Sequence, residues 1–130
     1  RYDAGLSRYV FDYTIQGLPY GEDLLNTDTF SFTDAFGRSK CNIFVKVISG
    51  AHTISLPVNV QGNFINAHPY AGLEGMVAFL IYPGASVTFN RGSGAVLYDL
   101  TRTNVSTLGT LSGYLLVQFI TKGTTWWRLT

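Results

Sequence analysis

Apolar residues recur along this chain with the two-residue period of β-strands rather than the 3.6-residue period of helices. In segment 41–49, the alternate residues Ile43, Val45 and Val47 lie on one face. Residues 52–56 alternate in the same way up to Pro57, which lacks the N–H that a central strand must donate. The short link 49–51 predicts a hairpin between these two strands.

The same period predicts further strands, separated by Gly, Pro and Asn residues that favour turns. Only segment 19–25 is compatible with a short helical turn. Short strands at such intervals are typical of an antiparallel sandwich or barrel. We therefore expect an all-β fold, an antiparallel sandwich of about seven or eight strands of the jelly-roll or fibre-domain type. The clear additional strands are 76–82, 86–90, 95–100, 113–121 and 124–130, and the weaker ones are 8–15 and 29–33.

Two of the predicted strands are apolar on both faces. One is 76–82, and the other is 113–121, whose second face carries Tyr114, Leu116 and Ile120. An antiparallel sheet in a monomer usually exposes one of its faces to water. Two explanations are open: a loop of the same chain covers the second face, or a neighbouring subunit does.

The length of 130 residues predicts one domain, 1–130, with residues 1–35 as an N-terminal arm or assembly segment. Segment 57–75 interrupts the strand rhythm, and a loop of this length predicts either a binding loop or a crossover of the sandwich. The chain begins at Arg1 rather than at Met, so we expect a piece of a longer protein.

The composition favours a protein whose surface is partly covered by other chains. Charged residues make up 13% of the chain, about half of the roughly 25% typical of soluble domains, and aromatic residues make up 15%. The net charge is +1 and no run of basic residues occurs, so a nucleic-acid partner is not expected. The longest apolar stretches, such as 76–82, have seven residues, whereas a spanning helix needs about 20. No membrane span is expected.

No sequence pattern of a catalytic or metal site is present. The chain has no G-x-S-x-G, H-E-x-x-H or C-x-x-C motif. Six of the eight acidic residues lie in 1–35, where solvated charge is the expected role. His52 and His68 are far apart and Cys41 is the lone cysteine, so these residues predict no metal centre. We expect a protein that is not an enzyme and that carries no cofactor.

Trp126 and Trp127 are the most suggestive residues, because adjacent strand residues point to opposite faces. We expect Trp127 to share the apolar face with Leu129. Trp126 is then expected beside Arg128 on the other face, where it is available for an interface or for stacking on a sugar.

Segments 47–57 and 122–129 together carry a family resemblance. The first contains T-x-x-L-P and the second contains G-T-x-W, and both resemble β-domains of tailed-bacteriophage virion proteins over about residues 40–130. Such domains occur in tail fibres, tail appendages, head fibres and capsid decorations, commonly as trimers. The resemblance implies no catalytic residue.

The resemblance implies a non-enzymatic structural protein located in the virion. Its expected partners are further copies of itself, most simply in a homotrimer, other virion proteins and, secondarily, a host-surface glycan. The alternative is a carbohydrate-binding module that uses an exposed tryptophan. The interface or sugar-stacking candidates are Trp126, Arg128, Tyr114, Leu116 and Ile120.

Overall fold

The structure is a computed structural model that describes residues 2–3, 8–12, 20–30, 32, 42–58 and 75–130. Every element with bounds in these ranges is a β-strand. The strands are β1 (Tyr2–Asp3), β2 (Arg8–Asp12), β3 (Tyr20–Leu24), β4 (Asn42–Val47), β5 (Gly50–Leu56), β6 (Gly75–Ile81), β7 (Ala85–Arg91), β8 (Val96–Tyr98), β9 (Asn104–Val105), β10 (Thr107–Ser112), β11 (Leu115–Lys122) and β12 (Thr125–Arg128).

These strands form two sheets that face each other. The large sheet has the order β1-β2-β3-β4-β6-β11-β12-β8-β9, and the small sheet has the order β10-β7-β5. The expected all-β sandwich is therefore confirmed. The pairing is mixed rather than purely antiparallel, because β3–β4, β4–β6, β12–β8 and β5–β7 are parallel pairs.

Two sharp corners carry the chain from the large sheet into the small one. After β4 the chain turns at Ser49 and Gly50 into β5, and after β6 it turns at 82–84 into β7. The predicted hairpin at 49–51 is wrong, because β5 pairs with β7 in the other sheet and not with β4. At the first corner, the Nε2 of His52 donates a hydrogen bond of 2.8 Å to the carbonyl of Ser49.

The core lies between the two sheets and is centred on aromatic rings. Phe79 on β6 and Phe119 on β11 contact Phe89 of the small sheet, with ring centroids 5.0 and 5.2 Å apart. Trp126 on β12 lies 5.8 Å from Phe119, and all four side chains are fully buried. Because both sheets contribute rings to one cluster, the packing fixes how the sheets face each other.

Several local predictions differ from the structure. Segment 19–25, the candidate for a helical turn, contains β3, and the described residues of 29–33 are not in a strand. The strands β9 and β10 were not predicted. Much of the proposed arm 1–35 and most of the predicted loop 57–75 lie outside the described residues.

Candidate functional site

The face of the large sheet that points away from the small sheet carries a cluster of apolar side chains on two neighbouring strands, β6 and β11, with Gln118 as a polar residue among them. Their register places Leu116 beside Leu80 and Ile120 beside Met76, with all four side chains opposite in direction to the core residues. We call the following set the outer patch: Met76, Leu80, Tyr82, Tyr114, Leu116 and Ile120.

Three side chains of the outer patch are well exposed. The exposed fractions are 69% for Tyr114, 40% for Met76 and 38% for Leu116. The Tyr114 ring lies 5.7 Å from the ring of Tyr82, so the two aromatic residues form one edge of the patch. Apolar side chains are therefore clustered, rather than scattered singly as on an ordinary surface.

The corresponding face of the small sheet is polar. On β7 the outward residues are Ser86, Thr88 and Asn90, which alternate with buried Ala85, Val87 and Phe89. On the neighbouring β10, the hydroxyl of Thr110 lies 2.8 Å from that of Thr88. The small sheet thus shows the polar-out alternation expected of a solvated sheet, whereas the large sheet does not.

The expectation that Trp126 is available on the outer side is wrong. Its side chain is fully buried between the sheets, and its indole Nε1 donates a hydrogen bond of 2.7 Å to the carbonyl of Pro57. Arg128 shares its face, as expected, but this is the core-facing side, because Arg128 pairs with Phe119. Trp127 is the tryptophan that points outward, where it pairs with Ile120 of the outer patch.

Trp127 forms one wall of a groove at the β12–β8 flank of the outer patch. The groove has a volume of about 280 Å³ and is lined by Arg102, Ile120, Trp127 and Leu129. Beside it, the ring of Tyr98 on β8 is nearly parallel to that of Trp127, with an interplanar angle of 14° and centroids 6.3 Å apart. We call this the flank groove.

The loop between β8 and β9 holds Arg102 in place at the groove. The carboxylate Oδ1 of Asp99 accepts hydrogen bonds from the amide and the hydroxyl of Thr101 and from the amide of Thr103. The guanidinium Nη1 of Arg102 donates a bond of 2.9 Å to the carbonyl of Arg128. The loop is thus held by hydrogen bonds to the Asp99 carboxylate within it and by the hydrogen bond from Arg102 to β12.

Electrostatics at this loop follow from the same contacts. The hydroxyl of Thr101, followed by the amide of Thr103, lowers the pKa of Asp99 because both stabilise the ionised carboxylate. Partial burial lowers the pKa of Arg128, and the charge of Asp99 opposes that effect. The Nε of Arg128 donates a hydrogen bond of 2.8 Å to the carbonyl of Thr130. This side chain is therefore bonded to the segment that follows β12.

Two residues that line or flank the groove, Tyr98 and Arg102, are not among the candidates predicted from the sequence. Tyr98 was visible only as one aromatic residue in a strand, and Arg102 as one charge in a loop. The parallel pairing of β12 with β8 brings both residues close to Trp127. No pattern in the local sequence predicts this pairing. Of the predicted candidates, Tyr114, Leu116 and Ile120 lie together on the outer patch.

In the part of the chain that the structure describes, no group of three or more His, Cys, Asp or Glu side chains could hold a metal ion. In the same ranges, no helix has the length and apolar character needed to cross a bilayer.

No protein-family model, curated protein or solved structure matches the chain. The described residues form an all-β sandwich whose small sheet has a polar outer face and whose large sheet carries the outer patch on β6 and β11.

Proposed function

We propose that this chain is a non-enzymatic structural domain of a virion that works by assembling with copies of itself through the outer patch. The observation that carries the proposal is the contrast between the two outer faces. The outward side chains of β7 in the small sheet are Ser, Thr and Asn, whereas those of β6 and β11 in the large sheet are mainly aliphatic and aromatic, with Gln118 as the polar exception within the patch. A second protein surface against the large sheet would remove this apolar area from water.

The outer patch provides the apolar centre of such a contact. Strands β6 and β11 have seven and eight residues, so at about 3.4 Å per residue and 4.8 Å per strand their outer face covers about 240 Å². Each partner contributes roughly 800 Å² to a standard interface, so the contact extends from this apolar centre onto the surrounding surface.

The assignment to a virion is supported by the resemblance of segments 47–57 and 122–129 to β-domains of tailed-bacteriophage particles. Those domains commonly form trimers, and a homotrimer is the assembly we propose. The competing proposal, a carbohydrate-binding module built on Trp126, loses its residue because that ring is fully buried.

Sedimentation of the purified chain tests the assembly. We expect the wild-type chain to sediment as an oligomer at tens of micromolar and Leu116→Lys to sediment as a monomer, because a charge would then lie at the centre of the outer patch. Thr88→Lys on the outer face of β7 is the matched control and should remain oligomeric. A monomeric wild-type chain, or dissociation by both variants alike, would contradict the proposal.

Quantitative mass spectrometry of purified particles tests the location. A structural component is present in a fixed copy number per particle that does not change through successive purification steps. Copy numbers that fall with each step would contradict a virion role, even if the isolated chain forms oligomers.

A further inference from the structure

We propose that the flank groove binds a carboxylate-bearing sugar residue of a glycan, a binding activity separate from assembly. The site consists of a flat aromatic pair, an aliphatic floor and one fixed guanidinium. Each part matches one chemical feature of such a ligand.

The aromatic pair supplies the stacking surface. Trp127 and Tyr98 are direct neighbours across the β12–β8 pairing, and their rings are inclined by only 14°. The centroids are 6.3 Å apart and the two rings are stacked, so Tyr98 supports the Trp127 ring that lines the groove. The Trp127 ring provides an apolar surface for the C–H face of a pyranose ring, while Ile120 and Leu129 contact its edge.

The guanidinium supplies the charge. Among the described residues, Arg102 is the one non-glycine residue with a positive φ, at 63°. A backbone in this region is costly for a long side chain, and such strain is concentrated at binding sites. The Nη1 contact with the Arg128 carbonyl orients the planar group. Among the described residues the guanidinium makes no other hydrogen bond, so its remaining N–H groups can make a bidentate contact with a carboxylate.

The combination of aromatic, aliphatic and guanidinium groups disfavours ligands that are wholly apolar and ligands that are only small anions. A wholly apolar ligand would take water from the guanidinium without replacing its hydrogen bonds. A small inorganic anion would leave Trp127, Ile120 and Leu129 without a partner. The groove is open on one side, so sugar hydroxyls stay hydrated, and its volume of about 280 Å³ is below the roughly 300–1,000 Å³ of pockets for drug-sized ligands. One sugar ring at a time is the expected occupant.

The groove and the exposed part of the outer patch are separable. Tyr114 directly precedes β11 and Leu116 lies at its start, whereas Ile120, near the end of β11, is the patch residue that also lines the groove. Variants at Arg102 and Leu116 therefore test binding and assembly independently.

Calorimetric titration with acidic oligosaccharides tests the site. The probes are oligogalacturonate, hyaluronan oligosaccharide and sialyllactose, each compared with its methyl ester, in which the carboxylate is neutralised. We expect at least one acid to bind, and its ester to bind about tenfold or more weakly, the loss typical of a hydrogen bond to a charged group. Arg102→Asn should lose the same factor, because Asn tolerates positive φ and lacks the guanidinium.

The two tryptophans show where the ligand binds, because one lies in the groove and the other lies in the core. In an NMR titration the indole N–H signal of Trp127 should shift, while that of Trp126, bonded to Pro57 in the core, should not. Arg91→Gln, an exposed charge removed from the small sheet, should bind like the wild type. Arg102→Asn should also retain the sedimentation of the wild type.

The proposal is overturned if none of the three acids binds at about 1 mM, if acid and ester bind equally, or if Arg102→Asn binds like the wild type. Equal, Arg102-dependent binding of a glutamate-rich peptide would also overturn it in favour of a protein ligand.

Discussion

Trp126 ties together three parts of the molecule at the scale of a single residue. Its ring contacts Phe119 of the neighbouring strand and lies 5.3 Å from the ring of Phe32. Its Nε1 reaches the carbonyl of Pro57, just after β5 of the opposite sheet. A buried indole with its donor satisfied contributes both packing and a hydrogen bond that water would otherwise supply.

The two adjacent tryptophans should differ sharply in their contribution to stability. Trp126→Ala is expected to lower the free energy of unfolding by about 3–5 kcal/mol, because it opens a cavity and leaves the Pro57 carbonyl without its donor. Trp127→Ala should cost about 1–2 kcal/mol, since that ring is only partly buried. Urea denaturation of both variants measures the difference, and equal losses would contradict the assigned orientations.

This orientation could not be predicted from the local sequence. Alternation correctly required the two rings to point to opposite faces. The apolar Leu129 then suggested that Trp127 faced the core, but β12 ends at Arg128 and the outer face of this sheet is itself apolar. When both faces of a strand are apolar, the hydrophobicity of a neighbouring residue no longer shows which face points to the core.

Asp99 provides a prediction about pH. The Thr101 hydroxyl, the main cause of its lowered pKa, is removed in Thr101→Val, so the pKa of Asp99 should rise while remaining lowered by the amide of Thr103. Because the folded pKa lies below the unfolded one, the stabilisation of the loop is present above the unfolded pKa and is lost as pH falls through the folded pKa. Carboxyl ¹³C NMR titration measures both values, and an unchanged pKa in the variant would contradict the assigned cause.

At the scale of elements, the sandwich is organised by two matching strand–corner–strand units, β4–β5 and β6–β7. Each unit contributes one strand to each sheet, and equivalent strands lie parallel in both sheets. The amide of Tyr82 donates to the carbonyl of Val47, which continues the ladder up to the corner. The units therefore support each other along both sheets and at the turn.

The β4–β5 and β6–β7 corners each contain a glycine with positive φ, and replacing either glycine should lower the stability of the fold by a different amount. Gly50 and Gly84 have nearly the same φ, +89° and +87°. A Cβ at Gly50 would lie 2.8 Å from the Cα of Asn26, whereas at Gly84 nothing lies within 4 Å.

Gly84→Ala should therefore cost only the conformational term of about 1–2 kcal/mol. Gly50→Ala should cost about 1–3 kcal/mol more, because backbone has to move. Thermal or urea unfolding compares the two, and a Gly50→Ala loss no larger than that of Gly84→Ala would contradict the close approach.

The strand positions were predictable and the strand partners were not. Alternation located β4 to β8, β11 and β12 to within a few residues, because buried and exposed positions differ in polarity. The turn residues 49–51 fixed only that the chain changes direction. Whether the next strand pairs with its predecessor or crosses to the other sheet depends on packing over the whole core, and β3 (Tyr20–Leu24), with its acidic residues, carries almost no alternation.

At the scale of the whole molecule, the two outer faces are unequal. The chain has 17 charged residues among 130, nine basic and eight acidic, so many surface positions must be uncharged. On β7 of the small sheet these positions are Ser, Thr and Asn, whereas on β6 and β11 they are mainly aliphatic or aromatic, with Gln118 between Leu116 and Ile120. The described core uses the inner face of the large sheet, and we propose that the outer face serves assembly.

The dependence of thermal stability on protein concentration is the last prediction, and it follows from mass action. A partner that binds only the folded state stabilises it by an amount that grows with concentration. For a chain of this size, a tenfold increase is expected to raise the Tm by about 3–5 °C if a second copy covers the outer patch. Differential scanning calorimetry should show this rise for the wild type and for Thr88→Lys, and a constant Tm for Leu116→Lys. Since Leu116 is 38% exposed, its replacement should leave the Tm that is measured at low protein concentration, where the chain is monomeric, nearly unchanged. A wild-type Tm that is independent of concentration would show that the outer patch is not covered by another copy.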